Sequence, residues 1–151
     1  MGAGPQPSAA RRAAERLLGR REHGREELKR KLLRRGFSYE EVRLALDELQ
    51  TRGLLDDIRC ARALACFELE RGHGLVYIRA KLLQRGFSGE EGLPGPEAEA
   101  ASLSALVRRR GIDGKSLTEP KERARIIRFL RGRGYSGAAL AAVLGSLPQE
   151  E

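Results

Sequence analysis

Lys31-Leu32-Leu33-Arg34-Arg35-Gly36-Phe37-Ser38-Tyr39-Glu40-Glu41 recurs fifty residues later as Lys81-Leu82-Leu83-Gln84-Arg85-Gly86-Phe87-Ser88-Gly89-Glu90-Glu91, altered only at its fourth and ninth positions. A weaker third copy, Phe129-Leu130-Arg131-Gly132-Arg133-Gly134-Tyr135-Ser136, follows after forty-eight more. Repetition at this period marks an array of like modules rather than one irregular domain.

Each copy reads as the close of one helix and the start of the next. Gly36, Gly86 and Gly134 stand where a helix ends on a left-handed residue, a conformation glycine enters without a Cβ clash. Basic residues just before them suit the negative end of the helix dipole. Ser38, Ser88 and Ser136 then offer hydroxyls to the free N–H groups of a new helix, and Glu41 and Glu91 complete capping boxes. Phe37 with Val42, and Tyr135 with Leu140, have the spacing of a hydrophobic staple. The middle copy has Gly92 in that place, so its staple is missing.

Working outward, apolar residues at helical spacing place three helices in residues 9–53. The first carries Ala10, Ala14, Leu17 and Leu18, the second Leu28, Leu32 and Leu33, the third Val42, Ala45, Leu46 and Leu49. Residues 54–96 repeat the plan, with Ile58, Ala61, Ala65 and Leu69 on one helix and Leu75, Ile78 and Leu82 on the next. Their third helix is expected to be a stub, because Gly89, Gly92 and Leu93-Pro94-Gly95-Pro96 support little more than a turn. Residues 97–147 form the third module, inward at Leu103, Leu106 and Val107, at Ile126, Phe129 and Leu130, and at Leu140, Val143 and Leu144. The expected fold is all-α, a tandem array of three three-helix modules. A disordered stretch at 1–8 and a tail at 148–151 complete it.

Of the 151 residues 33% are charged and only 5% aromatic, so the core is thin and built of Leu, Ala, Val and Ile. The net charge of +8 points to a polyanionic partner, nucleic acid first and an acidic protein face second. Residues 1–53 carry 13 basic and 8 acidic side chains, residues 54–92 six of each, and residues 93–151 ten and seven. Cys60 and Cys66 point to nearly opposite sides of one helix, as expected of reduced cysteines in a cytoplasmic protein. No apolar run reaches the length of a signal peptide or a membrane span.

Catalytic and cofactor chemistry finds no support. His23 and His73 are repeat equivalents without further metal ligands nearby. Gly111-Ile112-Asp113-Gly114-Lys115-Ser116 has two residues between its glycines where a phosphate loop needs four, and no strand precedes it. Paired carboxylates such as Glu26-Glu27 lie in first helical turns, where capping and the dipole explain them. What remains is arginine and lysine on each module's second helix: Arg30, Lys31, Arg34 and Arg35; Arg79, Lys81 and Arg85; Arg125, Arg128, Arg131 and Arg133. Arg108-Arg109-Arg110 adds a cluster. Such charges are commonly a solvated face. Stacked modules would instead align them into a stripe that tracks a phosphate backbone. Aromatics for base stacking are scarce, so sequence-specific readout is not expected.

These residues resemble the RecX family of bacterial recombinase regulators. The likeness lies in Arg21-Glu22-His23-Gly24-Arg25-Glu26-Glu27-Leu28 with Leu32 to Ser38, and in Gly53-Leu54-Leu55-Asp56-Asp57-Ile58-Arg59-Cys60-Ala61-Arg62. Ile78 to Leu82, Gly86-Phe87-Ser88 and Lys121 to Ser136 extend it, in order, over roughly residues 9–147. The resemblance implies an elongated, curved array, non-enzymatic, that lodges in the groove of a RecA filament on single-stranded DNA; the chain is expected to be a monomer. There it would slow filament growth, strand exchange, ATP hydrolysis and coprotease action. Gly24 departs from the family in standing where a capping Ser is common, and so does the broken third helix of module two. Two other readings stay open: a general nucleic-acid-binding module without a recombinase contact, and a helical adaptor that binds protein alone.

Overall fold

The computed structural model describes residues 6–148, and every regular element among them is a helix. In chain order they are α1 (Ala9–Arg20), α2 (Arg25–Arg34), α3 (Tyr39–Thr51), α4 (Asp57–Glu70), α5 (Leu75–Gln84), α6 (Pro96–Arg109), α7 (Pro120–Gly132) and α8 (Gly137–Leu144). Of the stretches expected to be unstructured, residues 1–5 and 149–151 lie outside the described residues. Ser8, by contrast, caps α1, its Oγ accepting from the Arg11 N–H. No helix among the described residues is long and apolar enough to cross a membrane.

The corners form as local chemistry demands. Gly36, Gly86 and Gly134 have φ of 94°, 89° and 89°, in the region that favours glycine. Ser38 Oγ accepts from the Glu41 N–H at 3.2 Å while Glu41 Oε2 accepts from the Ser38 N–H at 2.8 Å, a complete capping box. Ser136 likewise caps α8 through the Ala139 N–H. Ser88 accepts from Glu91 N–H at 3.0 Å, yet no helix follows it. The stub expected there is a single turn, closed by Leu93 N–H donating to Glu90 O at 3.3 Å. The backbone itself fills the space: a Cβ on Gly92 would come within 2.7 Å of the Ala61 Cβ on α4, and Leu93 packs on the core below.

The core divides into three clusters along the chain. The first gathers Leu17, Leu28, Leu32, Val42, Leu46 and Leu49, and takes in Leu55 from the linker. The second is small, with Ala61, Ala65, Ile78, Leu82 and Phe87. The third centres on Leu103, Val107, Ile126, Leu130, Tyr135 and Leu140. Helices α1, α2 and α3 pack on one another, α4 packs on both α5 and α6, and α8 packs on α6 and α7.

Four details depart from the sequence reading. Leu33 is exposed, because Leu28 and Leu32 set a narrow stripe and Leu33 lies a further 100° round the helix. Ile58 is exposed too, and the inner face of α4 runs through Ala61, Ala65 and Glu68, residues one and two turns apart. Helix α6 starts at Pro96, whose missing N–H costs nothing in a first turn. Helix α8 ends at Leu144 rather than 147, although Leu147 still packs on the third cluster.

Candidate nucleic-acid interface

Two seams join the three clusters, and both are built by the same parts. At each, a Gly-aromatic-Ser corner of the later module sits on a His-Gly corner of the earlier one. At the first seam the Phe87 ring covers Gly24, where a Cβ would come within 2.7 Å of it, and Gly86 lies on Glu26. At the second seam Gly74 lies on the Gly134–Tyr135 backbone. Gly74 N–H donates to Arg133 O and Val76 N–H to Gly134 O, both at 3.0 Å.

Neither Gly24 nor Gly74 can cap the helix it begins, and the neighbouring module supplies the cap. Asp57 Oδ1 of α4 accepts from the Arg25 N–H at 2.8 Å, and Glu99 Oε2 of α6 accepts from the Leu75 N–H at 2.6 Å. A carboxylate at a helix N-terminus satisfies an orphan donor and opposes the dipole. Glycine at position 24 therefore leaves room for Phe87, while Asp57 does the work of a capping serine.

The cations sort by burial. Lys31, Lys81 and Arg133 are half-buried and held internally. Lys31 Nζ lies 3.2 Å from Glu27 Oε1 and 2.9 Å from His23 Nε2. Lys81 pairs with Glu68, which is only 1% exposed and is bound from its other side by His73 Nδ1 at 2.6 Å. Arg133 donates from Nε to Gly72 O at 3.0 Å and from Nη2 to Arg71 O, tying the end of α4 to the last module. These three brace the fold, which sets them apart from an outward stripe.

Arg30, Arg34, Arg35, Arg79, Arg85, Arg108, Arg109, Arg110, Arg128 and Arg131 are all exposed. Arg79 is met by Glu90 at 3.5 Å and Arg110 lies over the Phe129 ring at 4.4 Å. The others named have no carboxylate partner among the described residues. Three of them, Arg30, Arg85 and Arg109, stand at the seams. Arg30 and Arg85 line one hollow with Arg21 and Glu27. At the second seam the Nη2 atoms of Arg109 and Arg133 each come within 3.4 Å of where a Gly72 Cβ would stand, with Arg71 adjoining. Among the described residues no carboxylate pairs with these arginines: Glu68 is taken up by Lys81 and His73, while Glu99 is buried and bound by neutral donors. Arg34, Arg35, Arg128 and Arg131 are not brought to either seam. Sequence reasoning passed over Arg21 and Arg71, which lie on corners rather than second helices. Their fifty-residue offset was the available signal.

Residues 10–49 match the family described as RecX, first three-helix domain. The chain is 38% identical to the regulatory protein RecX of Acidithiobacillus ferrooxidans over 88% of this chain and 87% of that one. It is 38% identical to that of Pseudomonas entomophila over 91% of each, and 35% identical to that of Halorhodospira halophila over 99% and 94%. The chain belongs to the RecX family. The fold agrees with the crystal structure of RecX from Lactobacillus salivarius at a TM-score of 0.77, with 16% identity, covering 91% of this chain and 94% of that one. A second crystal structure, of regulatory protein RecX, gives 0.73 with 19% identity, covering 91% and 72%.

In this RecX-family chain each of the first two corners also holds a histidine beside a lysine and a glutamate. An ammonium only donates, so His23 Nε2 accepts from Lys31 and its Nδ1–H points at Arg21 O, 3.0 Å away. Burial, with help from the Arg21 and Lys31 charges, holds His23 below its ordinary 6.5. His73 is lowered as well, by burial against the opposing bond to Glu68, with the Arg133 charge assisting. Burial works against ionised Glu68, but its bonds from Lys81 and His73 prevail and keep it below 4.5. Between each histidine's folded value and 6.5 the unfolded chain binds more protons, so stability falls as pH drops through that window. The carboxylate adds a loss of the same sign below 4.5. The urea midpoint is expected to be lower at pH 5.5 than at pH 7.5; a higher midpoint at pH 5.5 would show these histidines charged in the fold. Cys60, pushed up to about 11 by burial and neighbouring carboxylates, is a poor nucleophile.

Proposed function

We propose that this chain is a non-catalytic, monomeric regulator that binds a RecA-type recombinase filament on single-stranded DNA in the cytoplasm and restrains its ATPase, strand-exchange and coprotease activities. One observation carries the reading: the Arg109 and Arg133 guanidinium groups meet over Gly72 at the second seam, next to Arg71 in the chain, and none of the three has a carboxylate partner among the described residues. Uncompensated guanidinium groups at the edge of a rigid joint suit a phosphate or an acidic protein face, since they bring fixed charge at little ordering cost. The Arg30–Arg85 pair offers a second such point one module away.

The test is binding, and ATPase inhibition, at two salt concentrations. The filament on single-stranded DNA should bind this protein more tightly than naked DNA of equal length. Double charge reversal, Arg71→Glu with Arg109→Glu, leaves Arg133 as a brace. It is expected to weaken filament binding by about tenfold or more and to flatten the log–log salt slope by about 0.7 per lost phosphate contact. Equal affinity for filament and naked DNA, with ATPase untouched, would favour the general nucleic-acid-binding reading instead.

A further inference from the structure

Arg35–Ser38 is one of three copies of the corner that makes the seams, and it is the copy against which no other corner among the described residues is seated. Its backbone matches the others: φ is 94° at Gly36, a helix ends before it and a serine-capped helix follows. Its surroundings differ. A Cβ on Gly86 would strike Glu26 and one on Gly134 would strike Tyr77, whereas one on Gly36 would meet nothing within 4 Å among the described residues. Phe87 and Tyr135 are 8% and 2% exposed, while Phe37 is only half-buried. Arg34 and Arg35 beside it lack carboxylate partners among the described residues, and Leu33 and Tyr39 are exposed.

The two occupied copies say what such a corner holds. Each receives a two-helix corner: the end of one helix, then a glycine N-cap with no side-chain cap of its own. At the second seam its first-turn N–H groups donate to Arg133 O and Gly134 O, and its terminal carbonyls accept from the Arg133 guanidinium. A second copy of this chain has no such corner to spare. Gly24 and Gly74 are already covered. The third candidate, between α6 and α7, is a longer loop folded on its own module, with Gly114 buried and Leu117 packed on the third cluster.

We propose that Arg35-Gly36-Phe37-Ser38 is a docking knob for a two-helix corner of a partner protein, one presenting free helix-end carbonyls and a glycine-capped first turn. Arg35 would donate to those carbonyls as Arg133 does, and the peptide carbonyls of residues 35 and 36 would accept from the first-turn N–H groups. The partner is a recombinase protomer, an assignment that rests on the reading above; the seam arginines take phosphate and this corner takes protein.

The test uses the full chain with Arg35→Glu and, separately, Gly36→Asn, which adds bulk while tolerating a left-handed backbone. Each variant should bind the filament on single-stranded DNA about tenfold more weakly, as expected for an interface anchor, with binding to naked single-stranded DNA unchanged. Unchanged filament affinity in both variants overturns the proposal and leaves the seam reading intact. A parallel loss on naked DNA also overturns it, because the corner would then be a phosphate contact. If the wild-type chain does not bind the filament at all, the functional reading fails and this docking fails with it.

Discussion

Replacing Glu99 by alanine is expected to lower stability by about 3–4 kcal/mol, a drop of about 10 °C in Tm for a chain of this size. Glu99 is 1% exposed and holds two helix starts, one in the preceding module and one in its own. Its Oε2 accepts from Leu75 N–H, the uncapped start of α5, and its Oε1 pairs with the Ser136 hydroxyl at the start of α8. Truncation removes a charge-assisted cap and leaves two partly buried donors unpaired, and each such donor costs about 1–3 kcal/mol. Glu99→Gln, which keeps an acceptor without the charge, should lose about half as much. Urea denaturation followed by far-UV circular dichroism measures both. A loss under about 1 kcal/mol in the alanine variant would mean that the second seam does not depend on this carboxylate. The effect should also reach function: Arg133 is held on the Arg71 and Gly72 carbonyls across this seam, so the variant should bind polyanion less tightly and with a shallower salt dependence.

Gly134→Ala carries the other large expected effect. The new Cβ would collide with the Cβ of Tyr77 and stand 2.6 Å from its backbone nitrogen, neither of which can swing away. To this is added the cost of a non-glycine residue at φ 89°, about 1–2 kcal/mol, on top of about 1–3 kcal/mol for overpacking. Gly36→Ala is the matched control. It adopts φ 94° with open space around it, so it should lose only the conformational share. The difference between the two variants, about 2 kcal/mol by the overpacking range, isolates the seam from the turn. Equal losses would show that the corner is strained but the joint is not tight.

Much of the fold was legible in the residues because its punctuation is local. Gly36, Ser38 and Glu41 lie within one turn of chain, and their bonds need nothing from elsewhere. The same holds for the failure of the third helix in the middle module, where Gly89, Gly92 and two prolines act on their own backbone. The candidate site was only partly legible. Periodicity located a cationic second helix in every module, yet it could not say which cations face water. Lys31 on α2 and Arg35 just past its end stand one turn apart, and one is braced by Glu27 and His23 while the other has no carboxylate partner among the described residues. Arg21 and Arg71 went unnoticed because a corner residue gains meaning only when a second corner is laid on it.

The sequence by itself determined the helices, their ends and the likeness of the three modules, since helix formation and capping are decided by residues a few positions apart. Only the tertiary structure decided the fate of the charges. Glu68 is bound by Lys81 thirteen residues on, Glu99 by Ser136 at thirty-seven, and Arg133 reaches back sixty-two residues to Arg71. Burial of an ion is tolerable only where an opposite charge or a hydrogen bond meets it, and which partner arrives is settled by how helices pack within a module and how one module seats on the next.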